Sequence, residues 1–250
     1  MSPTEATDRK SRTLHQPAPT DSPGTGHRPR RSSTSTGVAH PRTSDASARK
    51  RARIVEVAMR HFAERGFQDT RIADIADELN IAKGSIFQYF DSKQGLFLEV
   101  FKQAVSSFPT YLDAPADTIE KGFFATLRYW LEKTEHMVHD DWIPYRITLL
   151  GNYGSDLNLR RLISRHMVTE DPYGTGAFVR RGIVRGELRR DIDPGMIVAT
   201  IDWTMERFQD ALLAQEFATG LVPLYGIRRE EMALRIDQFL KLLHGAIGAR

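Results

Sequence analysis

The stretch from Thr70 to Phe97, TRIADIADELNIAKGSIFQYFDSKQGLF, constrains the fold more than any other part of the chain. Ile72, Ile75, Ala76 and Leu79 stand at i, i+3, i+4 and i+7, one face of a short helix. Thr70 is placed to cap that helix, and Asp74 falls in its first turn, near the positive end of the dipole. Asn80 follows the last apolar position, and Asn tolerates the left-handed backbone that a sharp helix-to-helix turn requires. Ile81 plugs the turn. A second helix follows over Ala82 to Tyr89, with small, polar and aromatic groups and few acids on its outer face. The spacing predicts a helix-turn-helix whose second helix can enter the DNA major groove.

This segment resembles the DNA-binding domain of TetR-type transcriptional repressors. The resemblance covers about Ala48 to Phe101. It rests on Thr70, Ile75-Ala76, Ala82-Lys83-Gly84-Ser85-Ile86-Phe87, Tyr89-Phe90 and Ser92-Lys93-Gln94-Gly95-Leu96 at fixed spacing. The chain departs from the pattern at Asn80, where Gly is common, and at Phe87, where Tyr is common, so a phenol hydroxyl is missing. The resemblance implies a homodimer that binds a palindromic operator on double-stranded DNA, and a body that encloses a cavity for a small-molecule inducer.

Composition narrows the alternatives. The net charge of +3 is unevenly placed: residues 1–50 hold nine Lys/Arg against four Asp/Glu, about +5, so the remainder carries about −2. The folded part is therefore no general polyanion binder. There is no cysteine, which excludes disulfides, thiolate metal sites and thiol redox sensing. No apolar run approaches the ~18 residues of a membrane span. Arg30-Arg31 is followed by Ser, Thr, Gly and His, not by the apolar segment of an export signal. A soluble cytoplasmic protein is expected.

Three regions are expected: a disordered basic Ser/Thr/Pro-rich tail over 1–45, a helix-turn-helix domain over 46–92, and a helical ligand-binding and dimerisation domain over 93–250. The tail is too poor in large apolar residues to offset its ordering entropy. Its Arg28, Arg30, Arg31 and Arg42 could instead add unspecific phosphate contacts. A helix from near Ser47 buries Ile54, Val55, Ala58 and Phe62 and ends at Gly66. Another opens at Ser92 and stops at Pro109. Further helices are expected from Asp117 through Trp130 to Met137, Trp142 to Gly151, Leu157 to Val168, Ala177 to Arg185, Pro194 to Phe217, and Arg228 to Gly245. No period-2 strand is evident. The fold class is all-α, a three-helix head and a larger helical bundle.

The candidate DNA-binding residues are Thr70, Arg71, Lys83, Gly84, Ser85, Phe87, Gln88, Tyr89 and Lys93. Lys can donate to guanine and Gln can pair with adenine, while Gly84 lets the helix backbone approach DNA. Tyr89 and Lys93 suit phosphate, and Thr70 and Arg71 match phosphate contacts implied by the resemblance. For a ligand pocket the candidates are Phe108, Phe124, Leu127, Trp130, Trp142, Tyr145, Leu149, Phe178 and Trp203, with plain core as the alternative for each. Arg128, Arg146 or Arg165 could receive an anionic group. The expected dimer seam is Ile197, Ile201, Met205, Leu212, Leu234 and Leu242. His136, His139, Asp140 and Asp141 could hold a divalent metal, but the end of a helix favours solvated histidine, and no metal or cofactor is expected. No catalytic motif is present, and no enzyme is expected. The reading is a ligand-responsive regulator, a repressor released from its operator by a hydrophobic or amphipathic molecule. Its rival is a DNA-binding or architectural protein with a filled body and no inducer.

Overall fold

A computed structural model describes residues 41–108, 113–140, 142–213 and 226–250, without the side chains of 41–44 and 135–140. Eleven α-helices occupy these residues. They are α1 Pro41–Asp69, α2 Ile72–Glu78, α3 Lys83–Phe90, α4 Lys93–Ser107, α5 Ala116–Glu120, α6 Phe123–Asp140, α7 Trp142–Tyr153, α8 Leu157–Glu170, α9 Thr175–Val184, α10 Pro194–Leu213 and α11 Arg229–Ile247. Among the described residues there is no strand, only an isolated bridge from Leu188 to Gly248 that ties the chain before α10 to its C-terminal end. The fold class is all-α, as the periodicity predicts.

The helix punctuation has local causes. Gly66 interrupts α1 at φ 76°, ψ 172°, where glycine carries no steric penalty. Asn80 lies at φ 53°, and Ile81 N–H bonds back to Ala76 O at 3.0 Å, so the expected left-handed turn closes α2. The Ser92 hydroxyl accepts from Gly95 N–H at 2.9 Å and caps α4. Gly95 has a second reason: a Cβ there would stand 2.1 Å from Phe90 O.

Two expectations need correction. The helix foreseen from Asp117 to Met137 is two helices, broken at Gly122 with φ 109°. The distant Glu187 carboxylate accepts Phe123 N–H at 2.8 Å and caps the second piece, a partner that no local spacing reveals. The start of α1 is Pro41, so the expected tail of 1–45 overlaps helix by five residues. The rest of that tail, Pro109, and the loop from Gly220 to Tyr225 lie outside the described residues.

Two apolar cores follow. The first joins α1 to α4 with Ile147 of α7 and with Leu159 and Ile163 of α8 around Phe62, Phe97 and Phe101. It therefore runs across residue 92 and couples the head to part of the body. The second joins α6, α9, α10 and α11 around Leu127, Phe178, Ile201 and Leu240.

Candidate DNA-reading face and ligand cavity

The helix α3 turns Ile86 and Phe90 into the first core and leaves Lys83, Gly84 and Gln88 exposed. A Cβ on Gly84 would meet nothing within 4 Å. Ser85, Phe87 and Tyr89 are half-buried. Phe87 packs on the core, with the Lys83 ammonium 5.9 Å from its ring centroid. The Tyr89 hydroxyl accepts from Ser47 Oγ at 3.3 Å, which ties α3 to α1. Arg49, Lys50 and Arg53 are exposed near the start of α1 and flank a shallow depression floored by Ile54, Leu79 and Ile81.

Three of the expected contact residues have other partners. Thr70 is buried, and its hydroxyl lies 2.7 Å from Gly66 O and 3.0 Å from His61 O. It clamps α1 to the turn and does not cap α2, whose N-cap is Arg71. Its side chain is therefore withdrawn from any phosphate. Arg71 is exposed and shares Asp74 with Arg65. The Lys93 ammonium donates to Gln68 O at 3.0 Å over the Phe67 ring, and burial holds its pKa below the usual lysine range, against raising by Asp69 and Asp156.

In the body, α6, α7, α8 and α10 border a cavity of about 390 Å³ that opens to solvent beside the exposed Val168 and Trp203. Of the candidate pocket residues, Phe108, Leu127, Trp130, Tyr145 and Trp203 line it. Phe124, Trp142, Leu149 and Phe178 do not. Phe178 stacks on Phe123 at 4.2 Å in the second core, Phe124 packs against His244, Leu149 is buried away from the cavity, and Trp142 is exposed. Arg128, Arg146 and Arg165 are also absent from the lining; Arg128 pairs with Asp237 on the surface. His136, His139 and Asp140 have undescribed side chains, and Asp141 lies outside the described residues.

Sequence reasoning missed the polar wall. Asp202, Glu206 and Asp210, at i, i+4 and i+8 on α10, all line the cavity. Asp210 is buried and accepts from the Tyr145 hydroxyl at 2.8 Å and the Tyr153 hydroxyl at 2.6 Å. The Asn152 amide donates to Glu206. Burial, then repulsion from Asp210 and Asp202, pushes the Glu206 carboxyl up to about 7. Burial likewise raises Asp202 and Asp210. The spacing of the three acids is visible in the sequence, but on an amphipathic helix it reads as a solvated face.

The dimer seam needs a larger correction. Ile197, Ile201, Met205 and Leu212 are buried within one chain, the first three in the second core. Only Leu234 and Leu242 are exposed, at 51% and 76%. Helical periodicity marks an apolar face without saying whether the same chain covers it.

Comparison with known proteins places this geometry. Residues 54–100 match the bacterial regulatory proteins of the tetR family. The HTH-type transcriptional repressor AcnR of Corynebacterium efficiens is 24% identical over 180 residues, 72% of this chain and 90% of that protein. The fatty acid metabolism regulator protein of Bacillus subtilis is 25% identical over 162 residues, 62% of this chain and 81% of that protein. Among solved structures, a tetR-family regulator from Shewanella sp. PV-4 shares the fold with a TM-score of 0.60 at 17% identity, covering 80% of this chain and 99% of that one. The Bacillus subtilis regulator FadR in complex with stearoyl-CoA does so with a TM-score of 0.55 at 21% identity, covering 77% and 96%. The family match runs from α1 into α4, so the chain carries the DNA-binding domain of the tetR family of bacterial regulatory proteins, and its helical body has the fold of solved tetR-family regulators.

Proposed function

We propose that this protein is a homodimeric, ligand-responsive repressor that leaves a palindromic operator when a small molecule fills its cavity. Lys83 and Gln88 read base edges from α3, with Gly84 allowing close approach. Arg71 and the cations at the start of α1 hold phosphates on either side. Ser85, Phe87 and Tyr89 shape the helix face, and Lys93 anchors α4 behind it. The protein acts in the cytoplasm, where its operator lies.

The observation that carries the sensing step is the double role of α7. Its Tyr145, Thr148 and Asn152 face the cavity. Next to this face, Gly151 lies so close to α4 and α8 that a Cβ would stand 2.7 Å from the Phe101 ring and 2.9 Å from Ile163. A ligand that moves α7 must therefore move α4, the helix joined directly to the DNA-reading unit. Two head spacings, one matched to the operator, suffice for regulation. The cavity counts against the rival with a filled body, because it offers a recess lined by apolar side chains and three acids between the body helices.

The expected dimer surface is the outward face of α11 carrying the exposed Leu234 and Leu242. Selection of bound fragments from genomic DNA tests the proposal. The expected result is one inverted repeat, protected by two subunits. Selection without sequence preference would replace the repressor with an unspecific DNA-binding protein.

A further inference from the structure

We propose that the cavity takes an amphipathic cation, a molecule with an apolar body and a protonated amine held by Asp202, Glu206 and Asp210. This rests on reading the cavity as the ligand site. The cavity is the site, and the acids set the charge of its occupant.

The apolar body has a surface to meet in Phe108, Leu127, Trp130, Met167, Ile201 and Met205. The amine has three carboxylates on one wall. Among the described residues, the hydrogen-bond donors that reach them from the cavity lining and from Tyr153 are uncharged: Tyr145 and Tyr153 to Asp210, Asn152 to Glu206, and Thr175 to Asp202. No Lys, Arg or His belongs to the described lining. Arg207 lowers Asp210, but its guanidinium lies 5.6 Å from the Tyr153 ring centroid, outside the lining. A carboxylate or phosphate ligand would enter beside three acidic side chains in a partly desolvated space whose described lining holds no cation. An ammonium would supply the countercharge that the wall lacks.

The groups facing Glu206 are Asp202 and Asp210 on its own helix and Asn152 on α7. Around them stand Tyr145 and Tyr153 of α7, Asp171 and Tyr173 of the turn before α9, and Arg207. Burial, with repulsion from Asp210 and Asp202, holds a proton on Glu206 near neutral pH. A cation entering displaces it, so binding releases a proton and strengthens as pH rises from about 6 to 8.

Matched pairs of ligands test the inference on the full-length protein. Phenylbutylamine with phenylbutyrate, naphthylmethylamine with naphthoate, and decylamine with decanoate offer like apolar bodies with opposite heads. Calorimetry at pH 8 is expected to show at least one amine bound about tenfold or more tighter than its acid. Glu206→Gln and the more exposed Asp202→Asn should each weaken that amine several-fold without weakening the acid, in a protein that still unfolds cooperatively. Equal or tighter binding of the acids, no binding by any amine, or amine affinity indifferent to both substitutions would overturn the inference. An amine that binds without affecting the operator would support this inference and remove the sensing reading. An acid that binds and releases the operator would overturn this inference and leave the sensing reading in place.

Discussion

Gln88 reaches solvent from a helix whose Ile86 and Phe90 are locked in the core, so its loss should leave the head intact. Gln88→Ala is expected to cost about 1–3 kcal/mol on the native operator and to relax preference at one base position, read by competition with single-base variants. Lys93→Ala should behave differently. Its ammonium already holds Gln68 O, so the substitution should lower the melting temperature as well as weaken DNA binding. Glu206 makes a prediction in pH. Its folded carboxyl stands at about 7 against an ordinary 4.5, so the folded state binds the extra proton. The stability it contributes is complete below pH ~4.5 and lost as pH rises through ~7. Melting temperatures at pH 5 and pH 8 should therefore fall less in Glu206→Gln than in the wild type; an equal fall would mean that the carboxyl is not desolvated. The residue types on the DNA-reading face were legible because they sit at fixed spacing on one short helix. The engagement of Thr70 and the acidic wall were not, because both depend on what a different helix brings opposite them.

Among the elements, α7 meets both the cavity and α4. Gly151 permits its close packing on α4. Gly151→Ala should force Phe101 and Ile163 aside and cost roughly 1–3 kcal/mol, measured by urea unfolding. Operator affinity should change as well, because the displaced helix continues directly from the head; a destabilised protein with unaltered affinity would break the proposed route. Most helices were readable from their apolar period and their stops, including the left-handed Asn80 and the Ser92 cap. The break at Gly122 was not, since its cap comes from Glu187, 64 residues away along the chain.

The whole molecule sets the number of heads on the operator. Leu234→Glu and Leu242→Glu replace two exposed leucines of α11, so each should leave the monomer folded and shift light scattering from dimer to monomer. Operator affinity should then fall steeply, because two half-sites must be held together. Met205→Glu should instead unfold the body, since Met205 is 7% exposed inside one chain. That distinction was invisible in the sequence, where the apolar positions of α10 and of α11 look alike. The central claim is that filling the cavity and occupying the operator exclude one another. A substitution that fills part of the cavity from within tests it without a known ligand. Thr148 is buried on the cavity face of α7, with its hydroxyl donating to Tyr145 O at 2.7 Å. Operator dissociation constants measured by fluorescence anisotropy for Thr148→Phe should rise about tenfold or more over wild type, a shift of about 1.4 kcal/mol. Thr148→Val, which removes the hydroxyl and adds no volume, should stay near wild type. A folded dimeric Thr148→Phe protein with wild-type operator affinity would contradict the account.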